Sequence, residues 1–168
     1  MRTSPASVFA ASLIVLAAPG LAAAEDVVYT LSKADYANKN TVSQAVQNEC
    51  YLPLKLVQFI QQSTQGSTAI ETVEQAPTKG RFLKVEILNV EGAGGGAWSG
   101  PKSVTIGGSL LVNGKPTASF TARRISGGGA FGGFKGTCDI LGRNVKALGQ
   151  DVANWLSNPV DGARLGNL

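Results

Sequence analysis

Between residues 82 and 125 apolar side chains recur at every second position. Leu83, Val85 and Ile87 alternate with Lys84 and Glu86, Val104, Ile106 and Leu110 form a second row, and Ala118, Phe120 and Ala122 a third. A period of two is that of strands with one dry face and one wet face. The pattern predicts strands at 82–90, 103–112 and 116–125 run as a meander. Ile70–Val73 reads as a further short strand, and residues 25–35, with Val27, Val28 and Tyr29, as an edge strand. Asn113-Gly114 is a hairpin signal. A two-residue turn there pairs Ile106 with Thr121, which sets apolar rows against polar partners. A three-residue loop, Val112 to Gly114, pairs Ile106 with Phe120 and Val104 with Ala122. One slipped residue turns every side chain to the other face, so the three-residue register is the expected one.

Two other stretches carry a helical period. In 41–62, Val42, Val46, Cys50, Val57 and Ile60 recur at helical spacing, Thr41 with Gln44 forms a capping box, and Pro53 predicts a kink or two short helices. In the second, Thr137 caps a helix whose stripe is Cys138, Leu141, Val145, Leu148, Val152 and Trp155, stopping near Asn158-Pro159. The expected fold class is α+β: a mostly antiparallel sheet of four to five strands with two helices packed on one face.

The chain ends change the boundaries of that domain. Arg2, the apolar run Val8–Leu16, the break at Pro19-Gly20 and Ala22-Ala23-Ala24 have the pattern of a secretory signal peptide, with a run too short to span a bilayer. We therefore expect a leader over 1–24, a single domain over 25–158 and a loose tail over 159–168, in a protein of the periplasm or one secreted beyond it. The formal net charge is a mild +4. With no basic stripe interleaved with aromatics, nucleic acid is not an expected partner. Cys50 and Cys138 are the two cysteines, and in an oxidising compartment an even pair reads as one disulfide. Loop-closure entropy values such a bridge at ~4–5 kcal/mol.

Candidate chemistry narrows quickly. The chain has no histidine, which removes the commonest general base and metal ligand, so no metal, no cofactor and no enzymatic activity are expected. A Cys138 thiol at a helix N-terminus is conceivable as a nucleophile, but a disulfide accounts for both cysteines. Gly95 and Gly100 have phosphate-loop spacing, but Pro101 intrudes before Lys102-Ser103 and a strand follows instead of a helix.

What remains is a repeated phrase. GGGAWSGPKS begins at Gly94 and GGGAFGGFKGT at Gly127. In an up-down-up meander both loops lie at one end, beside the start of the last helix. The candidate binding residues there are Trp98, Lys102, Arg123, Arg124, Gly128, Gly129, Phe131 and Lys135. Glycine-loop amides, a helix dipole and arginines favour an anion. Exposed aromatics beside arginine favour a protein or glycan surface. The same glycines also serve tight turns and close packing with no ligand at all.

The strand ending LLVNGK, the SFTARRISGGGAFGG segment and the helix ending DVANWL resemble, over about residues 82–157, a domain-of-unknown-function family of small exported Gram-negative envelope proteins. Many members are lipoproteins, whereas this chain has no lipidated cysteine and has an expected disulfide. More distantly, the segment is similar to periplasmic accessory modules that regulate cell-wall synthases or support secretion channels. The resemblance implies an α/β envelope protein with no catalytic residues. The expected function is a non-enzymatic accessory module that binds an envelope partner through the glycine loops. The alternatives are an anionic-ligand or glycan binder at the same loops, and a secreted effector or inhibitor.

Overall fold

The computed structural model describes residues 29–64, 70–92, 101–126 and 136–168. Among them are seven strands and three α-helices: β1 (Tyr29–Ser32), β2 (Asp35–Tyr36), α1 (Gln44–Glu49), α2 (Leu52–Thr64), β3 (Ile70–Val73), β4 (Arg81–Glu91), β5 (Lys102–Val112), β6 (Lys115–Ser126), α3 (Thr137–Ser157) and β7 (Ala163–Gly166). The sheet runs β3-β1-β4-β5-β6-β7, and β2 also lies against β4. The predicted α+β class holds, but the sheet has more strands than expected. Its central meander is antiparallel, while the flanking pairs β1–β3, β1–β4, β2–β4 and β6–β7 are parallel.

The alternating rows behave as the period of two requires. Leu83, Val85, Ile87, Val104, Ile106, Leu110, Ala118, Phe120 and Ala122 all enter one core with the inner faces of α2 and α3. Phe120 packs against Trp155 with ring centroids 4.8 Å apart. Gly108 lies opposite Phe120, and a Cβ there would strike that ring. The absent side chain is what lets the ring lie across β5.

The hairpin register differs from expectation in an instructive way. Asn113 (φ 51°) and Gly114 (φ 76°) are both left-handed and form the two-residue turn, pairing Val112 with Lys115. Thr117 is then an extra residue in β6, so the ladder resumes at Leu110–Ala118 and reaches Ile106–Ala122. A bulge beyond the turn, and not a longer loop, returns the apolar rows to one face. The expected Ile106–Phe120 pairing is replaced by one two residues along, which has the same parity.

Local backbone chemistry sets the bounds of the other elements. The first helical stretch is two helices, one of the two outcomes Pro53 predicted, and they meet just before it at Cys50-Tyr51, where Tyr51 has φ 51°. Pro53 sits in the first turn of α2, where its missing N–H costs nothing. The N-cap of α1 is Ser43, whose hydroxyl accepts from Val46 N at 3.4 Å, in place of the expected Thr41. Gly136 occupies the N-cap of α3 and Thr137 is its first residue. β1 is not an edge, because β3 pairs on its outer side. The expected tail supplies β7. Ala163 and Leu165 pack on the core while Asn167 N donates to Arg123 O at 2.7 Å. It is the parallel pairing with β6 that makes this segment a strand.

Two ties hold the helical layer together. Cys50 and Cys138 form a disulfide, with Cα atoms 4.8 Å apart, joining the α1–α2 corner to the first turn of α3. Further along α3, Gly149 meets α2 so closely that a Cβ would lie 2.7 Å from Phe59 Cβ and 2.8 Å from its carbonyl carbon. Gly142 has no atom within 4 Å of the equivalent position. Gly149→Ala is therefore expected to cost about 1–3 kcal/mol by forcing the helices apart. Gly142→Ala should instead gain about 0.5–1 kcal/mol from helix propensity and lower unfolded-state entropy. Thermal unfolding of both variants checks this, and equal effects would show that the helices do not touch at Gly149. Cys50→Ser should lower stability by about 2–4 kcal/mol and leave Cys138 open to thiol reagents. Native protein isolated with both thiols free would contradict the bridge.

Candidate functional site

β4 ends, β5 begins and β6 ends at the same edge of the molecule. Lys102 pairs with Ser126, and Glu91 with Ser103. The residues that flank both glycine-rich segments are thus neighbours on adjacent strands. Trp98, Gly128, Gly129, Phe131 and Lys135 lie outside the described residues. The other expected site residues, Lys102, Arg123 and Arg124, can be placed.

Lys102 is inside the protein, 1% exposed. Its Nζ lies 3.5 Å from Gly92 O, and its own carbonyl accepts from Asn144 Nδ2 of α3 at 2.9 Å. Gly92 has φ 141°, and a Cβ there would come within 2.9 Å of the lysine stem. The stem packs under the chain as β4 ends, which is a structural placement and not a surface one.

Arg123 and Arg124 are successive strand residues and so face opposite sides of the sheet. Arg124 points to the helices and grips Asp151 of α3 through two bonds, Nε to Oδ2 at 2.7 Å and Nη2 to Oδ1 at 2.5 Å. This fork-to-fork pair matches guanidinium and carboxylate geometry. Its hydrogen bonds to Asp151 hold the Arg124 guanidinium charged beyond its ordinary range. Arg123 lies on the open face, where its Nη2 donates to Glu91 Oε2 at 2.7 Å and lies 3.4 Å from Ser103 Oγ. Ser103 Oγ in turn donates to Glu91 at 2.7 Å. The serine hydroxyl first, and the Arg123 charge second, hold the Glu91 carboxyl below its ordinary value of 4.5. Arg123 Nε is buried with no hydrogen-bond partner among the described residues.

Sequence reasoning missed the partners Glu91, Ser103, Asn144 and Asp151. A plain alternation from Ile87 would turn Glu91 toward the helices, away from Arg123. A bulge at Leu88 reverses that. The open face also carries a groove of ≈ 560 Å³ lined by Lys84, Glu86, Ser109, Thr121, Arg164 and Leu168. Among the described residues, no group of three or more Cys, Asp or Glu side chains is placed to hold a metal ion. No helix among them is long and apolar enough to cross a membrane.

These contacts have measurable weights. Asp151→Asn should cost about 1.5–3 kcal/mol, since it weakens charged hydrogen bonds between β6 and α3. Urea unfolding reads that loss. Glu91 is exposed, so its effect shows in pH dependence instead. A carboxylate with a lowered folded pKa stabilises above its ordinary 4.5, and that contribution fades as pH falls through the folded value. Glu91→Gln should flatten the acid limb of the stability profile below pH 4.5. An unchanged acid limb would show that Ser103 and Arg123 do not hold the ionised form.

No family model matches the sequence, and no curated protein matches it. Solved structures align with the chain at low identity. A Xanthomonas campestris protein of family DUF330 aligns with a TM-score of 0.52 at 9% identity, over 78% of this chain and 85% of that one. PelC from Paraburkholderia phytofirmans, crystallised as a dodecamer, aligns at 0.45 and 13% identity, over 74% and 84%. A Helicobacter pylori protein described as a neuraminyllactose-binding hemagglutinin homologue aligns at 0.44 and 13%, over 80% and 84%. At these identities the likeness to the DUF330 protein is one of fold.

Proposed function

We propose that this protein is a non-catalytic interaction module of the bacterial envelope, acting in the periplasm. It engages a partner protein with the sheet end from which both glycine-rich segments depart. The observation that carries the reading is the Lys102–Ser126 pair, which joins the start of β5 to the end of β6, the strand ends next to both segments in the chain. The helix α3 starts at that end as well, at Thr137. Export is supported by the leader-like pattern of residues 1–24 and by the disulfide, which suits an oxidising compartment.

A partner protein fits this end better than a small anion. The two arginines that would recognise an anion are already neutralised, Arg123 by Glu91 and Arg124 by Asp151. A ligand carboxylate would have to displace an internal one, so little net attraction is left over. The glycine segments retain two aromatics, Trp98 and Phe131, of the kind that anchor protein contacts.

Photo-crosslinking amino acids placed singly at Trp98 and at Phe131 in the native host test the reading, with Lys84 on the open sheet face as control. The expected result is a discrete adduct from the loop positions only. A folded, exported protein with no adduct at either loop, or with the same adduct from Lys84, would overturn it.

A further inference from the structure

Among the described residues, the cations assigned to recognition are buried (Lys102) or paired (Arg123 and Arg124), and other cations are left without a carboxylate. Lys33, Lys39, Lys84, Arg123 and Arg124 each meet a carboxylate. Lys79, Arg81, Lys115 and Arg164 enter none of these pairs and are spread over the sheet and its turns, whereas Lys55, Arg143 and Lys146, also outside these pairs, line one cleft of ≈ 430 Å³ in the seam between α2 and α3. We infer that this seam is a second docking surface, built for an acidic amphipathic segment of a partner protein.

The cleft lies between two close contacts of the helices. The Cys50–Cys138 bridge closes one end, and the Gly149–Phe59 contact closes the other. Between these ties lies Gly142, with open space where a side chain would stand. The floor is apolar: Phe59 on one wall, Cys138 of the disulfide and Gly142 on the other. Asp139 is the one acidic residue in the lining, and it sits in the first turn of α3, where the helix dipole favours its charge. Three cations against one carboxylate leave an excess of positive charge around an open cleft with an apolar floor.

The shape selects a peptide. Tyr51, Lys55 and Phe59 recur every four residues, so they fall on one side of α2 and its cap. Tyr51 is 60% exposed and Leu54 59%, so the start of α2 carries further exposed apolar surface. From Tyr51 to Phe59 is roughly 12 Å of helix, the length of about two turns of an incoming helix. A segment of that length would place an apolar side chain over Gly142 and carboxylates toward Lys55, Arg143 and Lys146, the helix-in-groove mode. This surface does not use the glycine-rich segments, so it stands or falls separately from the reading proposed above.

The probe is a fluorescein-labelled synthetic peptide of about 12 residues, leucine on one helical face and glutamate flanking it. A counterpart carries lysine for every glutamate. Fluorescence anisotropy is read against the disulfide-bonded protein lacking residues 1–24. The glutamate peptide should bind about ten-fold or more tighter than the lysine peptide and weaken as salt rises from about 50 to about 200 mM. Gly142→Leu, which fills open space and should leave the fold intact, and the double variant Lys55→Glu with Lys146→Glu, should each weaken binding by about ten-fold. Circular dichroism confirms that both variants are folded. Equal binding of the two peptides, absence of binding, or a folded Gly142→Leu protein that binds undiminished would overturn the inference. So would tight binding to phosphatidylglycerol vesicles with no preference between the peptides, which would make the seam a membrane-facing surface.

Discussion

In the central meander, opposed residues must point to the same side, and one side must stay dry. Two inserted residues make the three long strands obey this. Without Thr117 the two-residue turn at Asn113-Gly114 would set Ile106 against Thr121 and bury hydroxyls beneath the helices. With it, Ile106 meets Ala122. Leu88 acts in the same way on β4, so that Val90 joins Val104 on the core side. The core of α2, α3 and the sheet rests on this parity, because each helix needs an unbroken apolar floor to pack on.

The same bulges decide which polar groups meet. The insertion of Leu88 brings Glu91 opposite Ser103 on the open face, within reach of Arg123. Opposite parity on β6 sends Arg124 to Asp151 on the helix side. Two adjacent arginines thus do different things: one anchors α3 across the sheet, the other knits three strand ends together. Neither retains the free charge that an anion site would need. Three cations outside these ion pairs, Lys55, Arg143 and Lys146, share one cleft between the helices.

Glycine has two uses here that composition cannot separate. Gly108 and Gly149 are places where a Cβ would collide with a ring or a helix, so packing excludes any side chain. Gly142 is free of that demand, and its emptiness shapes a cleft instead. All three sit in regular elements, and nothing in their flanking residues distinguishes them. Only the position of the neighbouring element does.

Sequence alone determined the mixed α+β class, the three meander strands, the short strand at Ile70–Val73, the helix break near Pro53 and the pairing of the two cysteines. Each follows from local periodicity, from a single backbone restriction or from counting. Tertiary structure decided the parallel flanks, the inner place of β1, the recruitment of the C-terminus as β7, both bulges and every partner of Lys102, Arg123 and Arg124. The reason is physical. A side chain's face is set locally by the period of its strand or helix. What lies opposite it depends on register and on residues far along the chain, and one inserted residue reverses it.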